Sequence, residues 1–124
     1  MLYVGQSVVP REGAKVGNGV TAWHVDPGCG FRPIWQENLG DGNQATPLLL
    51  GNVLFATGGK PGGFFALNAA NGNRLWSFPT EGRTVAGMIS VVGRLFGVDT
   101  NGVLYAFGTP RSIGSACTID CLLR

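Results

Sequence analysis

One stretch of this chain is written twice, and that repetition limits its fold more than any other feature. The segments TPLLLGNVLF (Thr46 to Phe55) and GMISVVGRLF (Gly87 to Phe96) align without gaps, which sets Phe55 and Phe96 41 positions apart. Further on, GFFALN and GVLYAF place Ala66 and Ala106 40 positions apart. Upstream, LYVG at Leu2 and GVTAWHVD at Gly19 read as an earlier copy. Ala22 there precedes Ala66 by 44 positions, and Trp35 precedes Trp76 by 41. This first copy holds a longer loop, VVPREGAKVGNGV, between its two strands.

Each period reads as four short strands joined by turns. Val, Leu and Phe supply the β-propensity, and GN, NG, DG and GG supply the turns. Gly makes up 21 of 124 residues, more than twice its usual share of roughly 7%, as a chain of many turns requires. No segment keeps an apolar i, i+3, i+4, i+7 pattern for three turns, which disfavours a helical solenoid. An immunoglobulin-like sandwich also has short, closely spaced strands, but it would not repeat at this period. Four β-type segments in about 41 residues are the signature of a β-propeller blade. The expected fold class is all-β: four-stranded antiparallel blades forming an incomplete propeller over residues 1–109. An irregular C-terminal tail is expected at 110–124.

Propellers close with typically four to eight blades. About ten candidate strands give roughly two and a half blades here, by the same repeat count. An open stack leaves apolar faces and strand edges bare. The expected partners are therefore other blades, supplied by a longer chain or by copies of this one, with another protein as an alternative. Met1 leads directly into a strand, which by capping logic favours a piece of a longer chain.

Composition narrows the partner classes further. Charged residues are 13% and hydrophobic residues 44%, too apolar for disorder. The net charge of +2 implies no nucleic-acid or acidic-membrane partner. The longest apolar run, Leu48 to Ala56, is broken by Gly51 and Asn52. It is far short of the roughly 18 to 20 residues a membrane span needs. No signal peptide is visible after Met1.

The second copy contains FFALNAANGNRLWSF, Phe64 to Phe78. FFALN reads as a strand with Phe65 and Leu67 opposite in face to Phe64 and Ala66. NAANGN is the turn: Asn68 is expected to bond its own backbone two residues on, and Asn71–Gly72 accepts positive φ at low cost. RLWSF is the next strand. Trp76 is large enough to fill a gap between neighbouring sheets, and Ala66 is small because another group must come close. The four residues Ala66, Asn68, Gly72 and Trp76 thus read as a device that docks one blade on another.

This stretch resembles the repeat of the PQQ-type (quinoprotein-like) β-propellers, in which Ala, Asp or Asn, Gly and Trp recur at the same spacing. In that family it is a tryptophan-docking motif, with the Trp stacked between adjacent blades. The first copy departs from the pattern: Ala22 and Trp35 are 13 apart instead of 10, and His24 stands at the acidic position, with Asp26 as a replacement. The third copy keeps Ala106 and then departs, since GTPRSIGSACTIDCLLR has no docking Gly or Trp at the motif spacing.

The resemblance implies two functions. One is a non-catalytic binding or scaffold module of a bacterial envelope or secreted protein, similar to outer-membrane assembly lipoproteins that share the repeat. Its contacts would lie on loops such as VVPREGAKVGNGV and GDGNQATP. The other is a set of C-terminal or internal blades of a PQQ-dependent alcohol or sugar dehydrogenase. No cofactor is expected for this chain, and PQQ and calcium are expected only in a full-length relative. The resemblance also implies a periplasmic or extracellular location.

No catalytic constellation stands out. Asp26, Asp41, Asp99 and Asp120 each sit in or beside turn-like sequence. DTNG, Asp99 to Gly102, lacks the later ligands of a calcium loop and reads as a β-turn. GGKPGG, Gly58 to Gly63, is not a phosphate-binding loop, because Lys60 is not followed by Ser or Thr; it reads as a hairpin loop. GQSVV at Gly5 lacks the second Gly of a nucleophile elbow. His24, the single histidine, has no evident nucleophilic partner. Cys29, Cys117 and Cys121 with the one histidine leave no ligand to spare for a structural zinc site, and metal binding is not expected. They leave open one disulfide plus a free thiol in an oxidising compartment, or three free or buried thiols.

Overall fold

A computed structural model describes residues 1–6, 18–40 and 45–108. Within them the chain forms ten strands: β1 (Leu2–Gln6), β2 (Gly19–Val25), β3 (Phe31–Glu37), β4 (Leu48–Leu50), β5 (Val53–Gly58), β6 (Gly63–Asn68), β7 (Arg74–Pro79), β8 (Ile89–Val91), β9 (Arg94–Val98) and β10 (Leu104–Phe107). No helix occurs among the described residues. The fold is all-β, as the repeat implies. The tail 110–124, with Cys117, Cys121 and Asp120, lies outside the described residues, as do Asp41 and most of VVPREGAKVGNGV.

The strands form three antiparallel meanders in chain order. The first sheet is β1-β2-β3, the second β4-β5-β6-β7, and the third β8-β9-β10. Within each sheet sequence neighbours pair; turns of two to five residues join them, except β1 and β2, which residues 7–18 connect. β4 and β5 close on the two residues Gly51–Asn52, and β8 and β9 on Val92–Gly93. Positive φ at Gly51, Val92 and Gly93 matches the primed turns that such two-residue hairpins prefer. GGKPGG is the β5–β6 hairpin loop, with Gly58 opposite Gly63.

Pairing registers confirm the spacing read from sequence. Phe55 lies between Leu48 and Ala66, and Phe96 lies between Ile89 and Ala106. In the first sheet Tyr3 faces Ala22. The three sheets thus carry the same aromatic–alanine pair, 41 positions apart for the second and third aromatics. The first and second sheets extend it to a tryptophan: Ala22 faces Trp35, and Ala66 faces Trp76. Both have a bulge at the same place, after Ala22 and after Ala66. A bulge locally sharpens twist and re-aims side chains.

Strand alternation gives the second sheet two apolar faces. One holds Leu54, Ala56 and Leu67, which cluster with Val20, Leu39 and Ala69 and pack with Tyr3, Trp35 and Phe65. The other holds Phe64, which clusters with Met88 and Tyr105 and packs with Phe55, Leu95 and Phe107. The second sheet therefore sits between the first and the third. Phe64 is fully buried, worth about 2–3 kcal/mol of apolar burial. It lies edge-on to Tyr105 at 5.3 Å and to Phe107 at 5.4 Å. A Cβ on Gly97 would sit 2.3 Å from the Phe64 ring, so that position has room only for glycine. At the equivalent place of the first interface, the smaller Val20 shares a cluster with Ala56. The larger knob, Phe64, thus meets the smaller residue, Gly97.

Candidate functional site

Of the residues singled out by the repeat, Trp35 with its neighbour Ala22, and Asn68 and Gly72, meet at the junction of the first and second sheets. Its frame is the β6–β7 turn. Asn68 Oδ1 accepts the Ala70 N–H at 2.9 Å, the two-residue step expected of Asn. Asn71 Oδ1 accepts the Asn73 N–H at 2.9 Å. The Gly72 N–H donates to Asn68 O at 2.8 Å, and Ala69 N–H donates to Asn52 O at 3.0 Å. Gly72 has φ +77°, a left-handed conformation that glycine adopts at low cost. These bonds leave the Ala69 carbonyl pointing at the first sheet.

Trp35 of the first sheet occupies the seat so formed. Its Nε1–H donates to Ala69 O at 3.0 Å. The Tyr3 hydroxyl donates to the same carbonyl at 3.1 Å, and the two rings meet at 5.9 Å. A Cβ at Gly72 would lie 2.5 Å from Trp35 Cε3 and 2.8 Å from Cδ2. Glycine is thus required twice, for its φ and for the indole against it. On the rim, Arg74 Nε–H bonds Glu37 Oε1 at 2.6 Å and Nη2–H bonds Asn38 O at 2.7 Å. Its guanidinium lies 5.1 Å from the Phe65 ring centre, so one side chain of the second sheet ties down the end of the first.

The motif is therefore shared between repeats. Sequence reasoning grouped Ala66, Asn68, Gly72 and Trp76 as one unit, but Gly72 receives the tryptophan of the preceding copy. Trp76 points the other way, toward the third sheet. It stacks on Phe78 at 6.3 Å and meets Phe107 edge-on at 4.9 Å. It remains 37% exposed and borders an open apolar cleft of about 420 Å³ with Leu50, Val53, Phe55, Ala66 and Phe107. At the motif spacing after Ala106 the third copy has Ser112 rather than glycine, and that residue lies outside the described ones. Ala106 itself is buried opposite Phe96.

The wider Ala22–Trp35 spacing also has a physical cause. His24 and Val25 pair with Arg32 and Phe31, so the hairpin runs on past its bulge. Asp26, not His24, opens the turn: its N–H donates to Gly30 O at 2.9 Å, and Cys29 N–H donates to Asp26 O at 3.0 Å. His24 Nε2 lies 3.1 Å from Asp26 Oδ1. Cys29 is exposed.

Two further residues had no functional reading in the sequence. Asp99 is 7% exposed, and its Oδ2 accepts the Tyr105 hydroxyl at 2.8 Å. Its Oδ1 accepts the N–H groups of Asn101 at 2.9 Å and Val103 at 3.1 Å. Burial pushes its pKa up, but the Tyr105 hydroxyl and the N–H groups of Val103, Asn101 and Gly82 outweigh this and hold it below 3.8. The Gly102 N–H donates to Asp99 O at 3.1 Å, so DTNG is a β-turn. Thr84, fully buried, accepts the Gly63 N–H at 3.0 Å and lies against the Gly58 and Gly63 carbonyls. Both side chains anchor turns at sheet ends. Among the described residues no three His, Cys, Asp or Glu side chains group as metal ligands.

Compared with protein-family models and with curated proteins, the chain matches none.

Proposed function

We propose that this chain is a run of β-propeller blades of the PQQ-like repeat type, acting as a non-catalytic binding or scaffold module. The observation that supports this reading most is the seating of Trp35 on Gly72 and the Ala69 carbonyl. The Ala–Trp pair and its adjoining bulge recur in the second sheet. The residues that repeat are spent on joining sheet to sheet, which is packing rather than chemistry. The proposed setting is a bacterial envelope or secreted protein. Its partners are other blades, and the contact loops are those that follow β1 and β3.

The alternative is a set of blades from a PQQ-dependent dehydrogenase whose reactive groups lie in other blades. Titration of the full-length protein with PQQ and calcium, followed by tryptophan fluorescence, separates the two. The scaffold reading expects no saturable change. Saturable, calcium-dependent quenching would overturn it in favour of the dehydrogenase.

A further inference from the structure

Sheets stack here by one rule: the face bearing the aromatic–alanine row of one sheet lies on the leucine-bearing face of the next. Tyr3 and Val20 meet Leu54, Ala56 and Leu67. Phe55 and Phe64 meet Leu95, Tyr105 and Phe107. Two further faces present the same patterns, and no described sheet covers either.

On the outer face of the first sheet, Leu2 pairs with Trp23 and Val25 pairs with Phe31. Leu2 and Trp23 hold the positions that Leu54 and Leu67 hold in the second sheet, relative to the aromatic–alanine pair. This is a receiving face. Leu2, Val25 and Phe31 are 43%, 42% and 61% exposed. On the outer face of the third sheet, Ile89, Phe96 and Ala106 hold the positions of Leu48, Phe55 and Ala66. This is a delivering face, continued by Val91 and Val98. Ile89, Val91 and Val98 are 59%, 50% and 40% exposed. Thr21 and Ala106, on the same two faces, are buried, so each exposed patch is a strip rather than a whole face.

We propose that a second copy of this chain docks head to tail, its third sheet laid on the first sheet of its neighbour. The proposal rests on the blade reading above. A second copy is the partner whose matching face is itself present in the structure, in the register of the two interfaces already formed. Covering both strips removes exposed apolar side chains from water. A head-to-tail contact repeated by rotation closes a ring. With three sheets among the described residues of each chain, two copies bring six, within the range at which propellers close.

The test uses the 124-residue chain. Light scattering after size exclusion, with circular dichroism on the same fractions, is expected to give a β-rich species at twice the 13.0 kDa chain mass. Phe31→Lys and Ile89→Lys, both at exposed positions, are each expected to run as folded single chains. Mixed in equal amounts they are expected to pair, because each retains the face the other has lost. Val25→Lys and Val91→Lys repeat the test at neighbouring positions. A folded wild-type chain that stays single at every concentration overturns the second-copy contact while leaving the blade reading standing. An Ile89→Lys chain that still pairs with itself, or variants that fail to pair when mixed, overturns the head-to-tail arrangement. A wild-type chain without β structure would sink the blade reading itself.

Discussion

Gly72→Ala is the substitution that most sharply separates a seated tryptophan from ordinary turn chemistry. Two costs add at this position. Placing a Cβ at φ +77° costs about 1–2 kcal/mol, because the left-handed region crowds Cβ against the backbone. The new methyl would also lie 2.5 Å from Trp35 Cε3, well inside contact distance. The indole must shift, at about 1–3 kcal/mol for overpacking. If it shifts far enough to lose the Ala69 carbonyl, a further ~1 kcal/mol goes with that hydrogen bond. The expected loss is therefore about 2–5 kcal/mol with the hydrogen bond kept and about 3–6 kcal/mol with it lost. Gly51→Ala is the control: its φ is +60°, and nothing lies within 4 Å of the added Cβ. It should cost only the backbone share, about 1–2 kcal/mol. Urea unfolding followed by tryptophan fluorescence gives both values by linear extrapolation. Equal losses for Gly72→Ala and Gly51→Ala would refute the seat.

Three other outcomes are expected from the same assay. Val92, β-branched, has φ 50° at a two-residue hairpin turn before Gly93 and is 91% exposed; Val92→Asn gives the favoured Asn–Gly turn and should stabilise by about 1 kcal/mol, whereas a loss would refute that strain. Thr57 is 2% exposed, and its hydroxyl has no partner among the described residues, so Thr57→Val should raise stability by about 1 kcal/mol. Asp99 has a folded pKa below its ordinary 3.8, so its contribution is present above that value and lost as pH falls through the folded pKa. Wild-type protein should lose more stability between pH 7 and about pH 2 than Asp99→Asn does; equal losses would show that Asp99 is not linked to folding.

Much of the stack was legible in the sequence because strand repeats leave local marks. The gap-free match of Thr46–Phe55 to Gly87–Phe96 fixed the equivalence of Leu48 with Ile89 and of Phe55 with Phe96, and the registers agree. Asn68 announced its turn through its own side chain. The partner of each tryptophan was not legible. Gly72 and Trp76 are neighbours along one hairpin, yet the indole on Gly72 comes from Trp35, 37 positions earlier. Spacing along a strand carries no information about which sheet lies across it. The same holds for Arg74, whose carboxylate partner Glu37 belongs to the first sheet, and for Thr84, whose buried hydroxyl serves carbonyls of another hairpin. Asp99 could be read as a turn residue, but the Tyr105 hydroxyl that completes its shell comes from the strand beyond the turn.

The most direct test of the docking arrangement is a nuclear Overhauser measurement on the labelled chain, read from the Trp35 indole protons. The seat described above predicts cross-peaks from the Trp35 six-membered ring to the Gly72 Hα protons. It also predicts cross-peaks from the Trp35 indole N–H to protons of the Ala69 turn. A Trp35 ring that shows cross-peaks only within its own sheet, with none to Gly72, would contradict it.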